Sequence, residues 1–459
     1  MTSIDTLPDD ALLEIFNPHW YEDDDSFGQE REEAWQTLVH VCRRWRCIVF
    51  GSPRRLNLQL FCTTRTPVRD MLDVWPALPL IVMSFDDHPT KSMDNIIAAL
   101  ECSDRVCHII LSTIRSLDLE IFLAAMQQPF PELTLLELSN DKMVAVVPDS
   151  FLGGSTPHLE VLTLCGIPFP GLPNLLLSAT HLVYLRLDDI PHSGYFSPDE
   201  MVVVLSTLTS LERLFLQFRS PRSCPDQASR YPPSKTRSVL PVLTTFLFKG
   251  VSEYLDDLVA CIDAPQLNIL RIIFFNDIVF DTPRVMQFIS RTPMSRAPEK
   301  AQITLQDHRA GVSFPSQTSR DGYFSVEILC KGLDWQVSSL EQVCTSCLPP
   351  VSILEDLYFY EDLDSRLDGK DSIESRQWQD LFHSFMAVKN LYLSESFASR
   401  IAPALQELIE GRTTVILPNL QNIFLKGLES SGSVQESIGQ LVAARQAANY
   451  PIVISPWTV

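Results

Sequence analysis

The sequence predicts an α/β fold: a small N-terminal helical module over residues 1–60, then an irregular right-handed solenoid over 61–459 with a parallel sheet on its concave face. Three observations predict it. The motif Leu-x-x-Leu-x-Leu recurs at intervals of roughly 28 residues, as in stacked repeat proteins. Roughly 16 to 28 residues separate successive copies, enough for a helix or loop that returns the chain to the next parallel strand. Apolar residues at helical spacing precede the first copy.

Strand geometry explains the spacing of the apolar residues within the repeat motif. Its last two apolar positions lie two residues apart, so on a strand both point to the same side of the sheet. One repeat cannot bury that side alone, and stacking buries it. The clearest copies are Leu133, Leu136, Leu138; Leu159, Leu162, Leu164; Leu182, Leu185, Leu187; and Leu211, Leu214, Leu216. Looser copies are Leu243, Phe246, Phe248; Leu267, Leu270, Ile272; Leu354, Leu357, Phe359; Val388, Leu391, Leu393; and Leu420, Ile423, Leu425. Fainter copies are Leu78, Ile81, Met83; Val106, Ile109, Leu111; and Ile303, Leu305.

This pattern resembles the leucine-rich repeat family. The Asn or Cys that regular members carry after the third leucine is mostly missing and the repeat length varies, so we expect an irregular solenoid with insertions. The alternative is a doubly wound α/β domain with similar buried strands, but such domains rarely hold one spacing over so many copies.

The composition of the chain excludes several classes of function and location. The chain has 459 residues, is 45% hydrophobic and carries a formal charge of −21, which disfavours nucleic acid as a partner. No apolar leader and no run of about 18 uncharged apolar residues is present, so we expect no membrane segment. Eleven cysteines without paired spacing fit reduced thiols in the cytoplasm or nucleus.

No residue pattern indicates catalysis. Sequence signatures of serine hydrolases, phosphate-binding loops and zinc proteases are missing, and Cys344 and Cys347 form a single CxxC without a second pair. We therefore expect no catalytic residue, no metal and no cofactor, although a triad assembled from distant residues stays open.

Two helices are predicted at the N-terminus. The first begins near Pro8 and runs to Phe16, with acidic residues at its positive end. The second runs from Ala34 to Phe50 and carries a continuous apolar stripe at intervals of three and four.

These residues resemble the F-box. The resemblance rests on LPDDALLEIF at 7–16 and VCRRWRCIV at 41–49, and the run on to residue 80 is similar to a large fungal class of F-box proteins with degenerate repeats. It implies docking onto the Skp-type adaptor of a cullin ubiquitin ligase. The matching positions are Leu7, Pro8, Ile15, Phe16, Val41, Cys42 and Trp45.

Other interpretations of this module remain open. The spacer over 17–33 is longer and more acidic than is usual for the F-box, with an acidic run at 22–25 that is either a solvated loop or an adjustment of docking. The helices could also serve only to cap the end of the solenoid, as repeat arrays require.

Side chains that flank the buried positions should point outward onto the concave face. There, aromatic rings beside arginine are the residue types that dominate protein-binding hot spots. Strand propensity alone also favours aromatics, so this interpretation has a plain alternative. The candidate target-binding residues are Tyr184, Arg186, Arg213, Phe215, Arg271, Tyr358, Tyr360, Tyr392 and Phe424.

Three segments lie outside the repeat pattern. Residues 219–237 form a basic, proline-rich and serine-rich stretch, which is a partner or modification site or a plain insertion. Residues 361–377 are acidic, and residues 433–459 should form a closing helix and strand that cap the array.

The leading functional hypothesis is a non-catalytic substrate receptor of an SCF-type ubiquitin ligase, which binds a Skp-type adaptor through the F-box and an unknown target through the repeats. The alternative is a protein-binding scaffold without ligase association. An enzyme with a site hidden in the irregular repeats is a third and weaker hypothesis.

Overall fold

The computed structural model divides the chain into two compact units, Met1–Thr180 and His181–Val459. This division differs from the predicted module boundary at residue 60, which stays a prediction. The residues that the structure describes are 7–16, 34–53, 56, 58–84, 93–112, 116–140, 146–223, 237–275, 282–293, 300–306, 308–315, 322–330, 332–346, 351–361, 375–394, 397–398, 401, 417–426, 432–447 and 449–457. The acidic run at 22–25 and most of the stretches at 219–237 and 361–377 lie outside them.

The first unit alternates helices and strands after three N-terminal helices. Its helices are α1 (Asp9–Phe16), α2 (Ala34–Val41), α3 (Arg43–Gly51), α4 (Val68–Val74), α5 (Met93–Leu100), α6 (Ser116–Ala125) and α7 (Leu172–Leu176). Its strands are β1 (Leu60–Cys62), β2 (Leu80–Ser84), β3 (Val106–Leu111), β4 (Leu135–Ser139) and β5 (Val161–Cys165). The strands pair in chain order and all in parallel.

The prediction of one helix from Ala34 to Phe50 is wrong, because the chain breaks at Cys42. Cys42 has extended backbone angles, with φ −158° and ψ 168°, and its thiol accepts a hydrogen bond from the backbone N–H of Trp45 at 3.5 Å. Cys42 therefore ends α2 and caps α3, which satisfies one of the N–H groups that a helix start leaves unpaired.

The predicted motif at Leu78, Ile81 and Met83 holds for Leu78 and Ile81, which are buried, but not for Met83. Leu80 and Val82 are completely buried, whereas Met83 is half-buried. Leu80 and Val82 align with the buried Leu60 and Cys62 of β1, and a register shift next to Leu80 accommodates β3. The extra residue at the shift is Cys107 of β3, so Leu80 pairs with Val106 and Val82 with Ile109, and β2 keeps the parity of β1.

The second unit continues the alternation. Its helices are α8 (Pro198–Leu205), α9 (Ser252–Ala260), α10 (Pro283–Arg291), α11 (Leu333–Ser346), α12 (Ser375–Phe382) and α13 (Gly432–Ala447). Its strands are β6 (Tyr184–Ile190), β7 (Arg213–Phe218), β8 (Ser238–Val239), β9 (Thr245–Gly250), β10 (Ile262–Asp263), β11 (Ile269–Phe275), β12 (Lys300–Gln306), β13 (Arg309–Pro315), β14 (Tyr323–Leu329), β15 (Asp356–Glu361), β16 (Asn390–Ser394), β17 (Asn422–Lys426) and β18 (Val453–Pro456). The closing helix and strand predicted for 433–459 correspond to α13 and β18.

The predicted parallel sheet is interrupted by an antiparallel segment in the middle of the second unit. Within this unit the strand order is β6-β7-β9-β11-β14-β13-β12-β15-β16-β17-β18. Here β13 pairs antiparallel with both β12 and β14, while β14 pairs parallel with β11 and β12 pairs parallel with β15. The chain thus crosses ahead to β12 and returns through β13 to β14, so an antiparallel insertion sits between two parallel runs.

The repeating apolar residues form the core. In the nine clear and looser copies of the motif, every apolar side chain is at most 5% exposed. Their strands follow the alternating pattern that strand geometry requires, as in β16, where Leu391 and Leu393 are buried and the residues between them are half-buried. The predicted α/β fold is therefore confirmed, and its sheet is parallel except in the antiparallel insertion.

Candidate partner-binding surface

The predicted target-binding side chains all lie on the outward side of the second unit's sheet. They occupy the positions between the buried repeat residues, where every one of them is half-buried or exposed. The structure divides them into three groups along the sheet, and the C-terminal group is the most continuous.

Four of these residues stack into a ladder. The ring of Tyr392 lies between Tyr358 at 4.0 Å and Phe424 at 4.5 Å, measured between ring centroids, with planes 8° and 10° apart. Tyr360 stacks beside Tyr358 at 6.1 Å. Strands β15, β16 and β17 pair in register, so rings at equivalent positions are held one strand spacing apart.

Trp457 completes this group, and sequence analysis missed it. The residue follows β18, and its backbone N–H donates to the carbonyl of Leu425 at 2.7 Å, which brings the indole edgewise against Tyr360, 5.4 Å between centroids. The ammonium of Lys426 lies 5.9 Å from the indole centroid. We call Tyr358, Tyr360, Tyr392, Phe424 and Trp457 the aromatic ladder. The signal that could have found it is a tryptophan near the end of the predicted closing cap at 433–459.

A row of polar side chains borders the aromatic ladder on the same strands. The amide of Asn390 donates to the Asp356 carboxylate at 2.6 Å, and the amide of Asn422 donates to the Asn390 carbonyl oxygen at 2.8 Å. Burial, together with a hydrogen bond to Tyr392, raises the pKa of Tyr358. The surface combines rigid aromatic area with satisfied polar groups, a composition typical of binding hot spots.

The second group lies on β6 and β7. Tyr184 and Phe215 face each other at 5.3 Å, and the Arg186 guanidinium lies 5.7 Å from the Phe215 centroid. Arg186 also donates to Asp188 at 2.5 Å. Its charge is therefore already paired, whereas Arg213 at the start of β7 is exposed.

The third group surrounds Arg271 in the antiparallel insertion. The Arg271 guanidinium donates to the Glu327 carboxylate at 2.7 Å, and Arg309 from β13 donates to the other oxygen of the same carboxylate at 2.9 Å. Sequence analysis identified Arg271 but not Glu327 or Arg309, because the strands that carry them lack the leucine motif.

The predicted adaptor-binding residues divide into exposed and internal positions. Ile15 is 55% exposed and Val41 is 56% exposed, while Pro8 is exposed and Leu7 half-buried. Phe16 is instead buried against Trp45, with centroids 4.6 Å apart, and so joins α1 to α3. Arg44 strengthens this junction, since its guanidinium donates to the Asp9 carboxylate and to the Leu7 carbonyl, both at 2.6 Å.

Among the described residues, no group of three or more His, Cys, Asp or Glu side chains is arranged to hold a metal ion, and Cys347 of the CxxC pair lies outside them. No helix in the described part of the chain combines the length and the apolar character needed to cross a bilayer.

No protein-family model matches the chain, and no curated protein matches it in sequence. Among solved structures, the chain is similar to the leucine-rich repeat-containing protein LegL7 from Legionella pneumophila, with 14% sequence identity, a TM-score of 0.28, and coverage of 73% of this chain and 90% of that one. At that TM-score the similarity adds nothing to the fold derived from the strands themselves.

Proposed function

We propose that this protein is the substrate-recognition subunit of an SCF-type cullin ubiquitin ligase. Its N-terminal helices bind a Skp-type adaptor, and the outward side of its second-unit sheet binds a target protein. The chain itself performs no catalysis and needs no cofactor; it raises the concentration of the target near a ligase that acts elsewhere. Its site of action is the cytoplasm or nucleus.

The observation that carries target binding is the aromatic ladder. Half-buried tyrosine and tryptophan rings held by their neighbours lose little conformational freedom on binding, and such residues are enriched at interface hot spots. A formal charge of −21 favours a basic or neutral partner. Lys426 and Arg213 add local positive charge that fits acidic groups on such a partner.

Adaptor binding is supported by the leucine-proline start and by the exposed apolar side chains of Ile15 and Val41. In α1, Leu12, Leu13 and Phe16 are buried while Ile15 is exposed, and in α2 Val39 is buried while Val41 is exposed. Scattered exposed apolar residues are common, and it is their coincidence with the F-box positions that supports the proposal.

The scaffold without ligase association remains the second candidate. The internal roles of Phe16, Cys42 and Trp45 favour it, because packing and capping alone account for these three residues. A helical cap at the end of a repeat array would need them equally.

Adaptor binding separates the two candidates. The experiment is calorimetric titration of the full chain with a purified Skp-type adaptor, in wild type and in the double variant Ile15→Asp, Val41→Asp. The control is Val203→Asp on α8, because Val203 is also 56% exposed. The proposal expects a one-to-one complex that the double variant weakens at least about tenfold, consistent with loss of an interface anchor, while the control binds normally. If the wild-type chain does not bind the adaptor, the ligase proposal is wrong and the scaffold without ligase association remains.

A further inference from the structure

The antiparallel insertion carries a pocket on the outward side of the sheet. Its volume is about 170 Å³, and side chains of β11, β12, β13 and β14 line it. Arg271 and Arg309 at its edge are half-exposed, so the pocket is reachable from solvent.

Strand register explains why a pocket forms there. Gly311 of β13 pairs with Glu327 of β14 and contributes no side chain to that position. A Cβ atom on Gly311 would lie 3.0 Å from Cγ of Glu327, closer than a normal contact. The neighbouring row is formed by Arg271, Ser325 and Ser313, which pair across β11, β14 and β13.

The charges around the pocket sum to one positive charge. Glu327 accepts from Arg271 at 2.7 Å through one oxygen and from Arg309 at 2.9 Å through the other, so two guanidinium groups share one carboxylate. Each guanidinium has further N–H donors in a planar fork, which suits a second carboxylate.

Ser325 supplies an independent sign that a ligand belongs there. It lines the pocket, is 1% exposed, and its hydroxyl has no hydrogen-bond partner among the described residues. A buried hydroxyl without a partner is costly, and it donates readily to an acceptor that enters the pocket.

We propose that this pocket binds a carboxylate group, held by Arg271 and Arg309 and by the hydroxyl of Ser325. A singly charged carboxylate matches the net charge, whereas a doubly charged phosphate would place an uncompensated negative charge beside Glu327. The volume is close to that of a cavity of about 150 Å³ that takes up benzene, so the ligand is a small acid or one acidic side chain.

Two sources supply such a carboxylate: a free small acid or an Asp or Glu side chain of a bound protein. Thr304, which also lines the pocket, pairs in register with Tyr360 of the aromatic ladder. The pocket therefore adjoins the aromatic ladder, so a protein lying on the ladder would reach the pocket with an acidic side chain that extends past Tyr360. The protein source rests on the proposed function, but the chemistry of the pocket does not.

The test uses butyrate, which mimics a glutamate side chain, and its neutral isostere butyramide. Ligand-detected NMR on the full chain at pH 7 should show butyrate binding with a dissociation constant on the order of millimolar and no binding of butyramide. Arg309→Gln and Ser325→Ala should each weaken butyrate binding roughly tenfold. Arg69→Gln, which removes an exposed arginine of α4 outside the pocket, should leave it unchanged.

Ser325→Ala keeps the test meaningful even if Arg309→Gln does not fold, because removing an unpartnered hydroxyl should leave the melting temperature equal or higher. Equal binding of butyramide, equal weakening by Arg69→Gln, or displacement of butyrate by lower concentrations of inorganic phosphate would overturn the proposal.

Competition with short peptides distinguishes a free acid from a protein side chain and does not require the adaptor. If the carboxylate comes from a protein, acetyl-Ala-Glu-Ala-amide should compete with butyrate while the glutamine peptide should not. If it comes from a free acid, butyrate should bind and both peptides should fail.

Discussion

The ring of Tyr392 is stacked face to face on the ring of Tyr358, 4.0 Å between centroids and 8° between planes. The two residues are direct partners in the parallel pairing of β16 with β15, so the backbone register fixes the stack. A sheet position that alternation directs outward is thereby occupied by ordered aromatic area instead of mobile polar side chains.

We predict that Tyr392→Ala lowers the free energy of unfolding by about 1–3 kcal/mol, since it removes ring contacts to both Tyr358 and Phe424 and each such pair contributes roughly 0.5–1.5 kcal/mol. Tyr392→Phe keeps both ring contacts and loses only the hydrogen bond to Tyr358, so it should cost about 1 kcal/mol or less. Urea unfolding measures both. Equal effects of the two substitutions would show that the phenol hydroxyl, and not stacking, holds the ladder.

A second prediction concerns the link between α9 and α10. The buried Asp256 carboxylate accepts from the backbone N–H groups of Arg284 at 2.9 Å and Val285 at 3.1 Å, which caps α10 from a neighbouring helix. Asp256→Ala should cost about 1–3 kcal/mol because it leaves buried donors unpaired.

Asp257→Ala is the matched control for that prediction. It removes only an ion pair of 2.6 Å to the partly exposed Arg284 and should cost less than about 1 kcal/mol. Thermal or urea unfolding of both variants checks the difference, and a larger loss in Asp257→Ala would refute the capping role.

Cysteine reactivity provides a third prediction. Burial raises the pKa of Cys62 to about 12 and that of Cys330 to about 11, whereas Cys47 is exposed on α3. The thiolate is the reactive form, so at pH 8 the folded chain should be alkylated at Cys47 and spared at Cys62 and Cys330 until denaturant is added. Peptide mapping after brief iodoacetamide treatment reads this out; early labelling of Cys62 would contradict the burial of β1.

The register of β2 is tested by a fourth pair of variants. Val82 is fully buried and Met83 is half-buried, so Val82→Ala should cost about 1–3 kcal/mol and Met83→Ala less than about 1 kcal/mol. A larger loss of stability in Met83→Ala than in Val82→Ala would show that Met83 is the inward-facing residue, as the leucine motif predicts.

The leucine motif predicted most strands because it specifies both where each strand lies and which of its side chains face the core. Leu136 with Leu138, and Leu391 with Leu393, are buried as that reasoning requires. It did not predict β13 and β14, where Ala310, Val312 and Phe314 alternate without leucine. β12, β13 and β14 follow one another in the chain and pair antiparallel over short connections, whereas the leucine motif describes only strands that repeat in parallel.

The same limit applies to the candidate sites. Outward orientation of Tyr358 and Tyr392 followed from alternation, but their stacking required the register of three strands. The pocket at Gly311 arises from two strands that the motif missed, and Trp457 reaches the aromatic ladder only through the position of β18. The break at Cys42 was hidden because the apolar stripe continues across it.

The central claim is that the aromatic ladder is a protein-binding surface, and site-specific photo-crosslinking tests it most directly. Benzoylphenylalanine replaces Phe424 in the aromatic ladder or, as the control, the exposed Val203 on α8, and each full-length chain is irradiated in an extract of its source cells. We predict that position 424 forms covalent adducts with a discrete partner protein, that Tyr392→Ala abolishes them, and that position 203 forms none of them. The same adducts from both positions, or no adduct from position 424, would contradict the claim.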